Sequence, residues 1–404
     1  MWGENFMLQF YSANTRIANS SRAVDECIEI AFGDQVPGDL RFVIINATIG
    51  HNIEKLATYA MNKLPDVTIL ANSCAGVIGK AGVGESMYDV AMMAVSGPSE
   101  EVASFYVDDV HGENSYEKGI KLAEGLKEFL PKANIVYLVT PGIAASNNLF
   151  IDAFDEIFGT NLTIFGGPSG DNMKAVATHQ YCGNKMSERS AWVIGFADLS
   201  IKSVSRATHG FTAYGRPMEI TKSEYNKIYE LDGEPAWNTF TSRLGLDVDT
   251  NIANTIPIGA IAELLEPGIA EEYGNSHLLA AITKRDMDGT IYANKSYPVG
   301  TKLWLTLRDE DLIFSEQKRA LDFIKKTVGS QNIIAVFQTD CLARGRLLFN
   351  KVIKDELITM LHAALSNEGD VPPWLGMYGF GEFARLGGKN EYHNYTTALL
   401  VLYR

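Results

Sequence analysis

Arg344-Gly345-Arg346 follows a strongly apolar run, Ile333 to Phe337, and sets two guanidinium forks side by side. Such forks bind carboxylates or phosphates in bidentate fashion. The next strand-like run, Trp374 to Tyr378, ends at Gly379-Phe380-Gly381-Glu382. Gly387-Gly388-Lys389-Asn390-Glu391-Tyr392-His393-Asn394 then precedes the final apolar run, Thr396 to Tyr403. Glu382 can pair with an arginine or receive a ligand ammonium. Polar residues at successive strand ends are how pockets are commonly built; an internal salt-bridge network with turn glycines is the competing reading. Cys74 and Cys341 each stand where an apolar strand meets a turn, a place where a nucleophile would be exposed, and Arg344 and Arg346 lie close enough in sequence to Cys341 to stabilise a thiolate. Free cysteine is more often a small buried hydrophobe.

The standard catalytic signatures are missing. There is no GxxxxGK[ST], no HExxH and no GxSxG, and the glycines at 79, 82 and 84 do not fit GxGxxG. Those glycines read as a loop that needs positive φ or close backbone approach, with ligand contact by loop amides as the alternative. None of the seven histidines has a partner at metal-ligand spacing. One histidine is enough to hold haem iron, so haem stays open, although nothing selects it.

The elements that would carry these residues alternate in period. Arg41 to Asn46, Val67 to Ala71, Asn134 to Thr140 and Ala191 to Phe196 read as strands. Asn52 to Leu64, Ser115 to Leu130, Glu234 to Leu244, Asp309 to Val328 and Lys354 to Leu365 read as helices, and Ser146 is a candidate cap for another. Asn72 to Ser86 reads as a loop of small residues. Asp89 to Val95 and Val102 to Val107 are so close that they predict an antiparallel pair. Asp286-Met287-Asp288-Gly289 is a good hairpin turn. The expected class is α+β: a layered α/β sandwich with mixed and antiparallel sheets flanked by helices, in two similar-sized halves, 25–210 and 211–404.

The 404 residues carry 35 Lys+Arg against 49 Asp+Glu, a formal charge of −14, which argues against a duplex nucleic-acid partner. No run of about 18 apolar residues exists, so no membrane span is expected. The first residues lack the basic and apolar regions of a signal peptide, and the four cysteines are scattered without a CxxC pair. A cytoplasmic location with reduced thiols is the expectation.

Several stretches together resemble the FIST family. In the first half these are Asn72-Ser73-Cys74-Ala75-Gly76 and Phe165-Gly166-Gly167-Pro168-Ser169-Gly170-Asp171. At the junction they are His209-Gly210-Phe211, Gly215-Arg216-Pro217, Ile220-Thr221-Lys222 and Leu231-Asp232-Gly233-Glu234-Pro235-Ala236. In the second half they are Cys341-Leu342-Ala343-Arg344, Tyr378-Gly379-Phe380-Gly381-Glu382 and Tyr392-His393-Asn394-Tyr395-Thr396. The resemblance spans residues 25–404 in order. The chain departs from it at Phe211, where tryptophan is common, at Arg216-Pro217-Met218 and at Pro168.

The resemblance implies a sensory module that binds a small polar ligand, an amino acid or derivative. It also implies that the signal goes to a separate partner such as a histidine kinase, because no kinase or cyclase segment is expected in this chain. Some members of the family bind haem and report nitric oxide, which makes a haem-based sensor the second reading. A cysteine-dependent enzyme using Cys74 or Cys341 is the third. The expected pocket lies in the second half or at the junction. Arg344 and Arg346 are chosen there for an anionic group, Glu382 for a cationic one, and Asn390 and His393 for orientation. Tyr378, Cys341, Arg216, Asp171 and Cys74 complete the candidate set, with no metal expected.

Overall fold

The computed structural model describes residues 7–143, 145–346 and 349–404. One succession of strand and helix patterns occurs three times along the chain. Unit one runs β1 (Gln9–Thr15), α1 (Ser20–Phe32), β2 (Leu40–Thr48), α2 (Ile53–Lys63), β3 (Thr68–Cys74), the hairpin β4 (Gly76–Gly79) and β5 (Gly82–Gly84), and β6 (Val90–Ser96). Unit two runs β7 (Val102–Val107), α3 (Ser115–Phe129), β8 (Ile135–Thr140), α4 (Asn148–Phe158), β9 (Thr163–Pro168), the hairpin β10 (Gln180–Cys182) and β11 (Lys185–Ser187), and β12 (Ala191–Phe196). Unit three opens with β13 (Lys202–Thr208) and is then interrupted. The insertion comprises β14 (Phe211–Glu224), β15 (Lys227–Leu231), β16 (Glu234–Pro235), α5 (Ala236–Leu244), α6 (Ile252–Thr255), β17 (Gly259–Leu264), α7 (Pro267–Tyr273), β18 (His277–Ala280), β19 (Ile282–Arg285), β20 (Ile291–Ala293) and β21 (Lys302–Arg308). Unit three resumes with α8 (Glu310–Val328), β22 (Ile333–Cys341), α9 (Lys351–Leu365), β23 (Trp374–Gly379), the hairpin β24 (Glu382–Leu386) and β25 (Lys389–His393), and β26 (Thr397–Tyr403).

Helix starts follow local chemistry. Asn19, Asn52, Asp309 and Asn350 each accept a hydrogen bond from the backbone N–H three residues on, which satisfies a donor that the first turn leaves unpaired. Each unit then builds one sheet in one order: β1-β6-β2-β3, β7-β12-β8-β9 and β13-β26-β22-β23. The last two strands of each are parallel, with a helix as their crossover.

The hairpins do not stay at home. β10–β11 extend the first sheet beyond β3, β24–β25 extend the second beyond β9, and β4–β5 extend the third beyond β23. A ring of three equivalent backbone bonds closes where the units meet. Ala75 N donates to Tyr378 O at 2.9 Å, Phe380 N to Pro168 O at 3.3 Å and Gly170 N to Ser73 O at 3.0 Å. Gly170 is required here, because a Cβ would come within 2.9 Å of Tyr378 O and 3.2 Å of Ala75 N.

The inner faces of the three sheets share one core, with Ile44 and Leu70, Tyr137 and Phe165, and Phe337 and Leu375 among its members. The helices cover the outer faces: α1 and α2 on the first sheet, α3 and α4 on the second, α8 and α9 on the third. The insertion has its own core around Trp237, Phe240, Ile228 and Leu303. Its strands follow the order β18-β17-β21-β14-β15-β20-β19. Its two edge strands, β18 and β19, are separated in the chain by Ala281 alone. No helix among the described residues is long and apolar enough to cross a membrane.

The α+β class with mixed and antiparallel sheets holds. Units one and two form one half, and unit three with its insertion the other, of similar size. Three expectations fail. β6 and β7 do not pair with each other, because both edges of β6 are already taken by β1 and β2, and β7 pairs with β12. The small-residue stretch after Cys74 is not an open loop; it holds the exchanged hairpin β4–β5, and Gly76 admits Glu85 and Tyr378 where a Cβ would sit 2.8 to 2.9 Å from them. Ser146 is also not the cap of α4, whose cap position is Asn147.

Candidate functional site

Strand alternation sorts the residues of β22 onto two faces. Phe337 points to the central core, whereas Gln338 and Asp340 face α8 and α9. The chain leaves β22 in a single 3-10 turn, Leu342–Arg344, which folds Arg344 back over Asp340. Here Gln338, Asp340, Arg344, Phe349, Lys354, Tyr378 and Thr397 surround a small enclosed cavity, with Gln317, Leu357, Ile358 and Leu361 behind them. Its volume is about 10 Å³, room for a single water.

The cavity wall is charged and deeply buried. Arg344 is 2 % exposed. Its Nε lies 3.7 Å from Asp340 Oδ2, its Nη1 donates to His209 O at 3.3 Å, and its guanidinium carbon lies 5.1 Å from the Phe349 ring centroid. Nε itself makes no hydrogen bond. A buried donor without an acceptor costs free energy, so the arrangement favours an added acceptor. Gln338 donates to Asp340 Oδ1 at 2.9 Å and accepts from Trp374 Nε1 at 3.1 Å, and Thr397 Oγ1 also donates to Asp340 Oδ1. Burial pushes the Asp340 carboxyl up, and Arg344, Thr397 and Gln338 pull it part of the way back. The Tyr378 phenol is pushed well up by burial.

A second buried cluster adjoins the first, toward the insertion. Glu382 accepts from Thr396 N at 3.2 Å and from Thr396 Oγ1 at 2.5 Å, and its Oε1 has no partner. Burial raises its carboxyl well above the usual range, with Asp340 adding to the shift. Cys341 has its thiol pushed well up, first by burial and then by Glu382. His393 Nδ1 lies 3.3 Å from Tyr273 Oη; burial lowers this imidazole to about 3. His209 is bonded at both ring nitrogens, to His277 O and to Phe211 N, each at 2.9 Å. Glu316 accepts from Gly210 N and Asn275 Nδ2.

Of the residues singled out in the sequence, Arg344 and Tyr378 line the cavity, and Glu382, Cys341 and His393 lie in the adjoining cluster. The others are elsewhere. Arg346 is on the surface, where its backbone N–H donates to Glu85 Oε1 at 2.8 Å. Asn390 is consumed by structure: it accepts from Ile164 N and donates to Leu162 O and Asp155 Oδ1. Asp171 accepts from Lys174 N and Val176 N and so fixes a turn. Arg216 is exposed on β14 in the insertion. Cys74 is fully buried in the central core, and burial raises its thiol.

Sequence reasoning missed Gln338, Asp340, Lys354 and Thr397 at the cavity and Glu85 beside it. Gln338 and Asp340 did leave a signal, since polar residues alternate there at the end of an otherwise apolar strand. Asp340 also stands four residues before Arg344. It also missed a polar layer of the central core. Asn46 Oδ1, Asn72 Oδ1, Tyr137 Oη, Trp192 Nε1 and Thr339 Oγ1 are buried there without a hydrogen-bond partner.

Neither cysteine offers a thiolate in this setting, because both thiols are pushed up rather than down. Haem does not fit at His209 or His393 either. His209 has both nitrogens occupied, and His393 is packed against Tyr273 with ring centroids 5.7 Å apart, so a macrocycle at either would displace the core. Among the described residues no three His, Cys, Asp or Glu side chains are grouped to hold a metal ion.

Comparison with known proteins agrees with the motif order. Residues 41–234 match the FIST N domain and residues 236–385 the FIST C domain. No curated protein matches at a significant level. Among solved structures, a cyanuric acid hydrolase from A. caulinodans is 10% identical with a TM-score of 0.25, covering 48% of this chain and 72% of its own. Another cyanuric acid hydrolase is 10% identical with a TM-score of 0.36, covering 98% and 100%. T. maritima PurL complexed with ATP is 11% identical with a TM-score of 0.21, covering 98% and 71%. Similarity at that level implies neither a common fold nor a common activity.

Proposed function

The chain belongs to the FIST family, with both its N and its C domain, and from that premise we propose that it is a sensor whose ligand binds in the Arg344–Asp340 cavity. FIST domains are sensory domains of signal-transduction proteins. The observation that supports the cavity is a fully buried guanidinium whose Nε, ion-paired with Asp340, makes no hydrogen bond, facing a buried carboxyl, a phenol and an ammonium. Such a wall suits a small polar ligand, an amino acid or derivative among them, with an acceptor for Arg344. The cavity is nearly closed, so the ligand selects a form in which α9 and the turn after β22 stand further from β23. The differential affinity for that form is the signal, which passes by contact to a separate protein such as a histidine kinase.

Isothermal titration against a panel of amino acids and small carboxylates tests this. A binder found with the wild type should lose at least about tenfold in affinity in Arg344→Ala, the effect of about 1.4 kcal/mol. Unchanged affinity in a folded Arg344→Ala protein overturns the assignment.

A further inference from the structure

Glu85 lies in the turn between β5 and β6, in unit one, yet its side chain is spent on unit three. Its Oε1 accepts from Arg346 N at 2.8 Å, its Oε2 is ion-paired with Lys354 Nζ, and its backbone carbonyl accepts from the Arg346 guanidinium. The Glu85 and Lys354 side chains are each only 11% exposed. Two glycines make the room: a Cβ on Gly345 would stand 2.2 Å from Glu85 Oε1, and one on Gly76 would stand 2.8 Å from Glu85 Cγ. One backbone N–H, one ammonium and a residue without a side chain thus form a receptor for a carboxylate, with the Arg346 guanidinium on the adjacent backbone carbonyl, and the protein's own carboxylate fills it.

The receptor shares a wall with the cavity, because Lys354 lines both. Within the buried wall Arg344 and Lys354 face Asp340 and Glu85, while the Arg346 guanidinium stands at the exposed rim. A further anion therefore enters only if one carboxylate leaves. Asp340 is held by Gln338 and Thr397 within its own sheet. Glu85 follows β5, which is the outermost strand of the third sheet and pairs on one side alone. Of the two, Glu85 is the one free to swing out.

We infer that Glu85 is a resident carboxylate plug, displaced when a small organic carboxylate enters between Arg344 and Lys354. This rests on the cavity being the ligand site. Displacement severs the contacts that tie the β4–β5 hairpin to α9 and the turn after β22. Occupancy is thereby converted into a looser joint between the two halves of the molecule.

The probes are acetate, succinate and inorganic phosphate, titrated calorimetrically into the wild type, Glu85→Gln and Lys354→Met. Glutamine keeps the shape of the plug and removes its charge. The tighter-binding carboxylate should bind Glu85→Gln about tenfold more tightly than the wild type, as loss of a competing partly buried ion pair requires. Lys354→Met should bind neither carboxylate. Amide hydrogen exchange at residues 76–84 should speed up when the carboxylate binds wild type, and should already be fast in free Glu85→Gln. Equal affinity in Glu85→Gln and wild type overturns the plug, and if Arg344→Ala still weakens that binding about tenfold or more the cavity itself stands. Phosphate binding more tightly than both carboxylates overturns the ligand class. No carboxylate binding to Glu85→Gln overturns the plug as well.

Discussion

Arg344 shows what one residue can be asked to do. A guanidinium held at 2 % exposure needs acceptors, and the turn at 342–344 gives it a carboxyl at 3.7 Å and one backbone carbonyl. Its Nε is left without a hydrogen bond, and the proposed ligand would supply one. His393 shows the opposite economy, a titratable ring that the fold keeps neutral. Burial lowers it to about 3, against an ordinary value of about 6.5. Below pH 6.5 the unfolded chain takes up a proton there that the folded chain refuses, so stability is lost as pH falls from 6.5 toward 3. His393→Gln removes this linkage. The stability difference between pH 7.5 and pH 5, measured by urea unfolding, should be smaller in that variant by about 2 kcal/mol. Glu382 titrates in the other sense: its raised carboxyl costs stability as pH rises above its unfolded value, and it does so alike in both proteins. An unchanged pH slope in His393→Gln would show that the ring is not desolvated. Residue type pointed to Arg344, which lines the cavity, and equally to Arg346, which lies on the surface, because a charge after an apolar strand looks the same in both settings. It could not separate Asn390 from a ligand contact, since an amide that holds Ile164 N looks the same in sequence as one that holds a substrate.

At the scale of elements, the central strands β2, β3, β8 and β12 announced themselves by apolar runs, and α2, α3 and α8 by apolar spacing, whereas α1 and the short hairpin strands did not. Pairing was another matter. β4 lies in a stretch with glycines at 76, 79, 82 and 84, which weakens any strand signal, and its partner β23 stands some 300 residues further on. No local pattern carries that information; it exists only once β22 and β23 have formed an edge. The fit of the hairpin is nevertheless specific. Ile78 is wholly buried in the core of the third sheet, opposite Gly376, where a Cβ would stand 2.8 Å from the Ile78 Cβ. Ile78→Ala removes buried apolar volume and leaves a hole against a strand from the other half. It should cost about 2–5 kcal/mol in denaturant unfolding, the range for large-to-small core changes. A cost below about 0.5 kcal/mol, the range of surface changes, would mean that the hairpin is an appendage and not part of the third sheet.

For the whole molecule, exchange of hairpins decides how it unfolds. Units one and two contain β4–β5, which need β23, and β9, which needs β24–β25; both partners belong to unit three. Severed from unit three, the first half would expose an unpaired hairpin and an open edge at β9. The second half would expose the edge of β23 and one face of the shared core. Unpaired edges and bare apolar faces favour association over solubility. The connection between β12 and β13, residues 197–201, is anchored at its ends by Ala197 and Ile201 in the cores and by the Asp198–Arg404 ion pair, but Leu199 and Ser200 between them are exposed, so the chain can be cut there without opening a core. Residues 1–199 and 200–404, produced together, should therefore assemble into a soluble complex with the near-ultraviolet circular dichroism of the intact chain. Produced apart, each should aggregate or lack that signal. The five unpartnered polar groups of the central layer strengthen this expectation, since they are drawn from all three sheets and separating the halves would open that layer. If the first half alone folds, with sharp near-ultraviolet bands and one cooperative transition, the exchanged strands are dispensable. The Glu85 contact would then join two independent domains instead of closing a shared sheet.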